Sequence, residues 1–139
     1  MSKRTFIVFA LLVAVLAVLI PWVAFQSDGD GDRGGDEVSA SLEQGQSLFQ
    51  TNCGNCHTLY SAGTDGNFGP DLDVVLAPTG PPSGEGAAAT IKGLEGRVLN
   101  AIDNGVDSTT EPGRMPPGII SGPAAEEVAE FVAQTAGRG

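Results

Sequence analysis

Cys53-Gly54-Asn55-Cys56-His57 is the stretch of this sequence whose residue types and spacing can do chemistry. The two cysteines are the only ones in the chain, His57 is the only histidine, and Met115 is the only methionine besides Met1. Each role therefore falls to a single candidate. Cysteines three apart on a helical turn project the same way, so both thiols can form thioether bonds to the vinyl groups of one porphyrin. His57, next in the chain, then brings its imidazole under the iron as an axial ligand. Cys-x-x-Cys-His is the pattern of covalent haem attachment, and it is the most specific signal in the sequence. Three other uses of these residues lead elsewhere. A thioredoxin-like redox pair expects the cysteines after a strand and at a helix start, whereas these follow a helical pattern and enter a glycine-rich loop. A closed zinc cage needs four ligands, and two Cys with one His fall short unless a carboxylate joins. A disulfide across two residues gains little from loop closure.

At 139 residues, the chain has room for one domain of about 100 residues once its apolar N-terminus is set aside. A domain that small buries only ~60–70% of its unfolded surface, so a cofactor that adds apolar contact would help to hold it. Aromatic content of 6% sharpens the need. After the apolar segment, five Lys or Arg stand against all seventeen acidic residues, 5 − 17 = −12. Nucleic-acid binding depends on neutralising phosphates with Lys and Arg, so this balance argues against nucleic acid. It favours a partner with a basic docking face.

Lys3 and Arg4 precede an unbroken apolar run, Phe6 to Ile20, that continues through Pro21, Trp22, Val23, Ala24 and Phe25. A secretory signal has an apolar stretch of ~7–15 residues and then a small-residue cleavage site, but here Trp22 and Phe25 put aromatics where small side chains are needed. As a helix, Thr5 to Phe25 would span ~31 Å, close to the ~30 Å hydrocarbon thickness. The expectation is an uncleaved single-pass transmembrane anchor over 1–25. Lys3 and Arg4 would stay in the cytoplasm, Trp22 would lie at the outer interface, and the rest of the chain would be extracytoplasmic. Residues 26–40 are Gly, Asp and Ser with almost no large apolar residue and read as a flexible acidic linker. Asp28, Asp30 and Asp32 match the opening of a calcium loop, but Arg33 takes the turn-glycine position and Ser39 that of the closing glutamate. A solvated linker is the better reading.

The folded part is 41–139. Ser41 with Gln44 three residues on is a capping-box arrangement, and Leu42, Gly45, Leu48 and Phe49 make a buried stripe ending at Asn52. Gly and Pro crowd 63–70 and 77–86, with a short apolar piece, Leu72 to Leu76, between them. Leu94, Val98, Ala101 and Ile102 share a helical face, and Gly105 is placed to end it. A last helix starts near Pro123, where Glu126 and Glu127 suit the dipole, and it buries Val128, Phe131, Val132 and Thr135. No alternating strand pattern and no repeat is present, so the fold class is all-α.

From about Ser41 to Gly139 the chain resembles class I cytochrome c, the small monohaem family. Beyond the attachment motif, Gly69-Pro70-Asp71-Leu72 looks like the family's glycine-proline segment. There the proline carbonyl accepts from the second nitrogen of the ligating histidine, implying Pro70 and His57 here and the outer-sphere bond that fixes tautomer and ring orientation. Met115-Pro116 looks like the family's distal ligand, lying in a Pro- and Gly-rich loop before the last helix where no second histidine competes. Gly45, Phe49 and Phe131 look like the residues at which the first and last helices cross. The resemblance thus implies small helices packed around one haem c, covalent through Cys53 and Cys56, with His57 and Met115 as iron ligands and Pro70 supporting. Residues 78–89 do not align with the family, and 118–122 is looser than its pattern. Tyr60, Arg97 and Arg114 are candidates to reach the haem propionates.

With both axial positions filled by protein, no open site is left for substrate, and no triad, paired carboxylates or phosphate loop is present. An electron carrier, not an enzyme, is the expectation. The first reading is a mobile anchored carrier between a quinol-oxidising complex and a terminal oxidase in a prokaryotic respiratory chain. The second is a fixed haem subunit of a larger membrane oxidoreductase. The third is a haem-based gas sensor in which Met115 leaves the iron.

Overall fold

A computed structural model of the protein describes residues 3–26, 38–107 and 114–139. Residues 27–37, with the linker and calcium-loop readings that fall there, lie outside the described residues. The chain divides into two compact units, 1–32 and 33–139.

The first unit is helix α1, Lys3–Gln26. Its side chains are described for Lys3, 7–9 and 11–20, the last being the longest unbroken stretch, about 15 Å of helix. Among the described residues, no helix is long and apolar enough to cross a membrane.

The second unit contains α2 (Glu43–Asn52), β1 (Thr58–Leu59), a 3-10 turn (Tyr60–Ala62), β2 (Thr64–Asp65), α3 (Leu72–Leu76), α4 (Ala87–Asn104) and α5 (Pro123–Thr135). Helix α5 packs on both α2 and α4. Its apolar positions recur at helical spacing and are buried all along one side: Val128, Phe131, Val132 and Thr135, with Ala125, Ala129 and Ala133 filling between them. Where α2 crosses it, an added Cβ on Gly45 would lie 2.7 Å from the Phe131 Cβ. Glycine there lets the backbones close until the Phe49 and Phe131 rings meet, centroids 6.1 Å apart and tilted by 58°, a pairing worth about 0.5–1.5 kcal/mol beyond its burial. Ile102 from α4, Leu42 and Leu59 complete this core.

Three local expectations need correction. Ser41 does not cap α2. The helix begins at Glu43 with Leu42 at its N-cap and no side-chain cap bond, while the Ser41 hydroxyl meets that of Ser39 at 3.1 Å. Burial of Leu42, 4% exposed, decides where the helix enters, and tertiary packing overrides the local capping signal. Strands are also present. β1 and β2 pair antiparallel, Thr58 opposite Asp65 and Leu59 opposite Thr64, and an isolated bridge joins Val106 to Met115. Such two-residue pairs are too short to leave an alternating pattern. Helix α4 also starts at Ala87, earlier than its apolar face suggests, after Gly86 at φ 92°.

Candidate functional site

Cys53 follows the last turn of α2. Its N–H and that of Gly54 both reach Phe49 O, at 2.8 and 2.9 Å, so the helix fixes the first cysteine. The Cys53 carbonyl then accepts from the N–H groups of Cys56 and His57, both at 3.0 Å, curling the motif into one turn. The following loop wraps it. Gly66 lies so close that an added Cβ would sit 2.6 Å from the carbonyl carbon of Cys56. The Thr64 hydroxyl donates to His57 O at 3.0 Å, and Gly69 N–H donates to Cys56 O at 2.8 Å.

No disulfide joins the two cysteines, and Cys53 is buried while Cys56 is exposed. Burial, and secondarily the neighbouring Cys56, pushes the Cys53 thiol up from 9.0 to about 11. Before any bond forms to it, Cys53 is therefore a neutral thiol at physiological pH.

His57 is half-buried, and its Nδ1 lies 2.9 Å from Pro70 O. A carbonyl only accepts, so Nδ1 carries the proton and Nε2 keeps its lone pair for a metal. The ring rests on Gly69, where an added Cβ would fall 2.5 Å from Cε1 and 2.9 Å from Nδ1. The contact to Pro70 is the one the family resemblance implies.

Met115 is held through its backbone. Val106 N–H donates to Met115 O at 3.0 Å, Met115 N–H to Val106 O at 3.1 Å, and Gly118 N–H reaches Ile102 O at 2.7 Å. The side chain is half-buried and packs against the core. Both of its flanks are thus tied to the end of α4.

This donor set fits haem. Two thiols, an imidazole with its outer nitrogen already bonded and a thioether are the chemistry covalent haem requires. Exposed large apolar side chains lie near these donors in the chain: Phe68 beside Gly69, Val106 opposite Met115, and Ile119 four residues after it. Apolar surface gathered on ligand-bearing segments is what a porphyrin would cover. The chemistry does not belong to the cleft of about 710 Å³ lined by Thr58, Tyr60, Asp71, Asp73, Val74 and their neighbours, which includes neither cysteine, nor His57, nor Met115. Among the described residues, no group of three or more His, Cys, Asp or Glu is placed to hold a metal ion.

The candidates for propionate contact each have a described position. Arg114 pairs with Asp107 at 2.8 Å, Arg97 Nη1 donates to Val75 O at 3.5 Å, and Tyr60 lines the cleft. Asp73 escaped notice in the sequence. Only 6% exposed, it accepts from Tyr60 N–H at 2.8 Å and Gly137 N–H at 2.7 Å. An aspartate two residues past the N-cap Asp71 reads as ordinary first-turn charge, and no sequence signal shows that both its oxygens are spoken for.

The sequence matches the family model for cytochrome c over residues 42–136; the chain belongs to the cytochrome c family. No curated protein and no solved structure matches it. The cofactor is accordingly haem c, and the thiols spaced for its covalent attachment are Cys53 and Cys56. Haem-based electron transfer is the function that membership implies.

When bound, haem supplies a one-electron couple. The protein's own contribution is to hold that couple still. The Cys53–His57 turn fixes the attachment point, Pro70 O keeps the proton on Nδ1 and leaves Nε2 its lone pair, and the Val106–Met115 bridge fixes the backbone at Met115.

Proposed function

We propose that this protein is a membrane-anchored, single-haem electron carrier that shuttles between a quinol-oxidising complex and a terminal oxidase of a prokaryotic respiratory chain. The reading rests on two candidate axial donors, the Nε2 of a His57 whose Nδ1 meets Pro70 O at 2.9 Å and the thioether of a Met115 whose backbone is bonded to Val106. With both sides of the iron taken, outer-sphere transfer is the chemistry left. A thioether sixth ligand also raises the reduction potential over bis-histidine ligation.

Support for the anchor comes from α1, whose 24 residues would reach ~36 Å at ~1.5 Å per residue. No charge follows Arg4 in it, and Lys3 and Arg4 put the haem domain on the extracytoplasmic side by the positive-inside rule. A linker over 26–40 would let the domain range ~20 Å on average, raising its effective concentration near membrane complexes toward the mM range. The acidic balance then favours complexes with basic docking faces.

Anaerobic redox titration of the matured full-length protein with optical spectra tests the ligation. A c-type spectrum with a sulfur-to-iron charge-transfer band in the oxidised state is expected, and the band should vanish in Met115→Ala. Ready carbon monoxide binding by the reduced protein at neutral pH would instead point to gas sensing. Mild detergent extraction tests mobility: a carrier runs near monomer size, whereas co-purification with a stable assembly would make it a fixed subunit.

A further inference from the structure

Gly105 closes α4 in a conformation, φ 70° and ψ 177°, that is essentially open to glycine alone. Its N–H still completes the helix by donating to Ala101 O at 2.9 Å, and the next residue, Val106, already forms the bridge to Met115. Helix and bridge therefore meet at this single residue with no room for a longer turn. Gly105 is also pressed against the chain on both sides of Pro116. An added Cβ would lie 2.5 Å from Met115 O, 2.9 Å from Pro117 N and 3.1 Å from Pro117 Cδ. Two of those three atoms are main chain, so the obstacle cannot swing aside as a flexible side chain would.

We propose that Gly105 is the positioning residue for the distal ligand: its missing side chain sets how far the Met115-Pro116-Pro117 segment sits from the end of α4, and hence where the Met115 sulfur is presented. The inference rests on the reading of Met115 as an iron ligand. Any side chain at 105 has to push the Met115 carbonyl away from α4, and the Val106 N–H bond that holds this carbonyl then stretches or breaks. The attachment turn at Cys53–His57 belongs to other elements and is left in place.

The test compares matured holoprotein carrying Gly105→Ala, Val106→Pro, Gly93→Ala and Met115→Ala. Gly93 lies within α4 where an added Cβ meets nothing within 4 Å, so Gly93→Ala shows what an alanine in this helix does by itself. Gly105→Ala should keep one covalent haem by mass but lose most of the charge-transfer band, lower the reduction potential and gain carbon monoxide binding, while Gly93→Ala behaves as wild type. A haem-loaded Gly105→Ala with the full band and an unchanged potential would overturn the proposal. If Gly105→Ala fails to mature, Val106→Pro decides, because it removes the N–H bonded to Met115 O at an exposed position without adding bulk at 105. Loss of the band supports the proposal, and a full band overturns it. A band that survives Met115→Ala refutes the ligand assignment itself, a result separate from any of these.

Discussion

At the scale of single residues, the His57 side of the site depends on a residue with no side chain. The imidazole lies against Gly69 because an added Cβ would meet Cε1 at 2.5 Å, and this seat places Nδ1 2.9 Å from Pro70 O. Gly69→Ala forces the ring off that seat, an overpacking cost of about 1–3 kcal/mol. Its hydrogen bond to Pro70 lengthens as well. That bond makes the imidazole a stronger donor and so favours ferric iron; weakening it should raise the reduction potential while the thioethers stay intact. A lower denaturation midpoint with an unmoved potential would show that the ring does not depend on Gly69. The thiols carry their own expectation. In the folded chain before haem attachment, Cys53 is protonated until the pH approaches about 11 because its burial disfavours the thiolate. The sign follows: this burial is no cost below the ordinary value of 9.0, and it weighs increasingly against the folded state as pH rises from there through about 11. Iodoacetamide at pH 8 should therefore label exposed Cys56 well before Cys53. Equal rates would mean that the end of α2 is not formed before haem is attached.

At the scale of elements, Asp73 joins three of them. From α3 it accepts N–H groups from Tyr60, after β1, and from Gly137, just past α5. Asp73→Ala leaves two backbone donors without their acceptor in a buried place and should cost about 1–3 kcal/mol. Asp73→Asn keeps one acceptor oxygen and should cost less. Denaturant midpoints of both variants, with the charge-transfer band as a control expected to stay constant, give the comparison; an alanine variant as stable as wild type would remove the tie from the account. Asp73 also shows where the sequence stops being legible. The helices over 43–52, 87–104 and 123–135 were readable because each buries an apolar face at helical spacing, and Gly105 and Pro123 mark ends by their own backbone restrictions; Leu72–Leu76 read only as a short apolar piece, because the residue it buries is Asp73. The attachment turn was readable because its spacing is a chemical requirement. What was hidden depended on partners distant in the chain. Ser41 lost its capping role to the burial of Leu42, the β1–β2 pair is too short to show a period, and Asp73 gains its meaning from Gly137, 64 residues away.

At the scale of the whole molecule, charge is the property with the longest reach. Four Lys or Arg against twelve Asp or Glu over 41–139 leave a domain of about 100 residues strongly negative, and nothing in packing requires this. Arg114 is itself tied to Asp107 by an exposed ion pair, which further reduces the free positive charge. Such an excess acts on encounter more than on the affinity of a docked pair, because it steers oppositely charged partners together before any surface meets. It is also removable by salt. The Debye length falls from ~30 Å at 0.01 M to ~8 Å at 0.15 M ionic strength, so interactions between exposed charges farther apart than that are lost. Stopped-flow oxidation or reduction of the haem by small redox reagents of opposite charge isolates the effect from any specific docking. The bimolecular rate with hexaammineruthenium, a cation, should fall as salt is raised, by about 10-fold or more if steering has its usual strength. The rate with ferricyanide, an anion, should rise over the same range as repulsion is screened. Rates that do not respond to salt with either reagent would mean that the acidic residues lie too far from the site of electron exit to govern encounter, and a basic docking face on the partner would then lose its physical support.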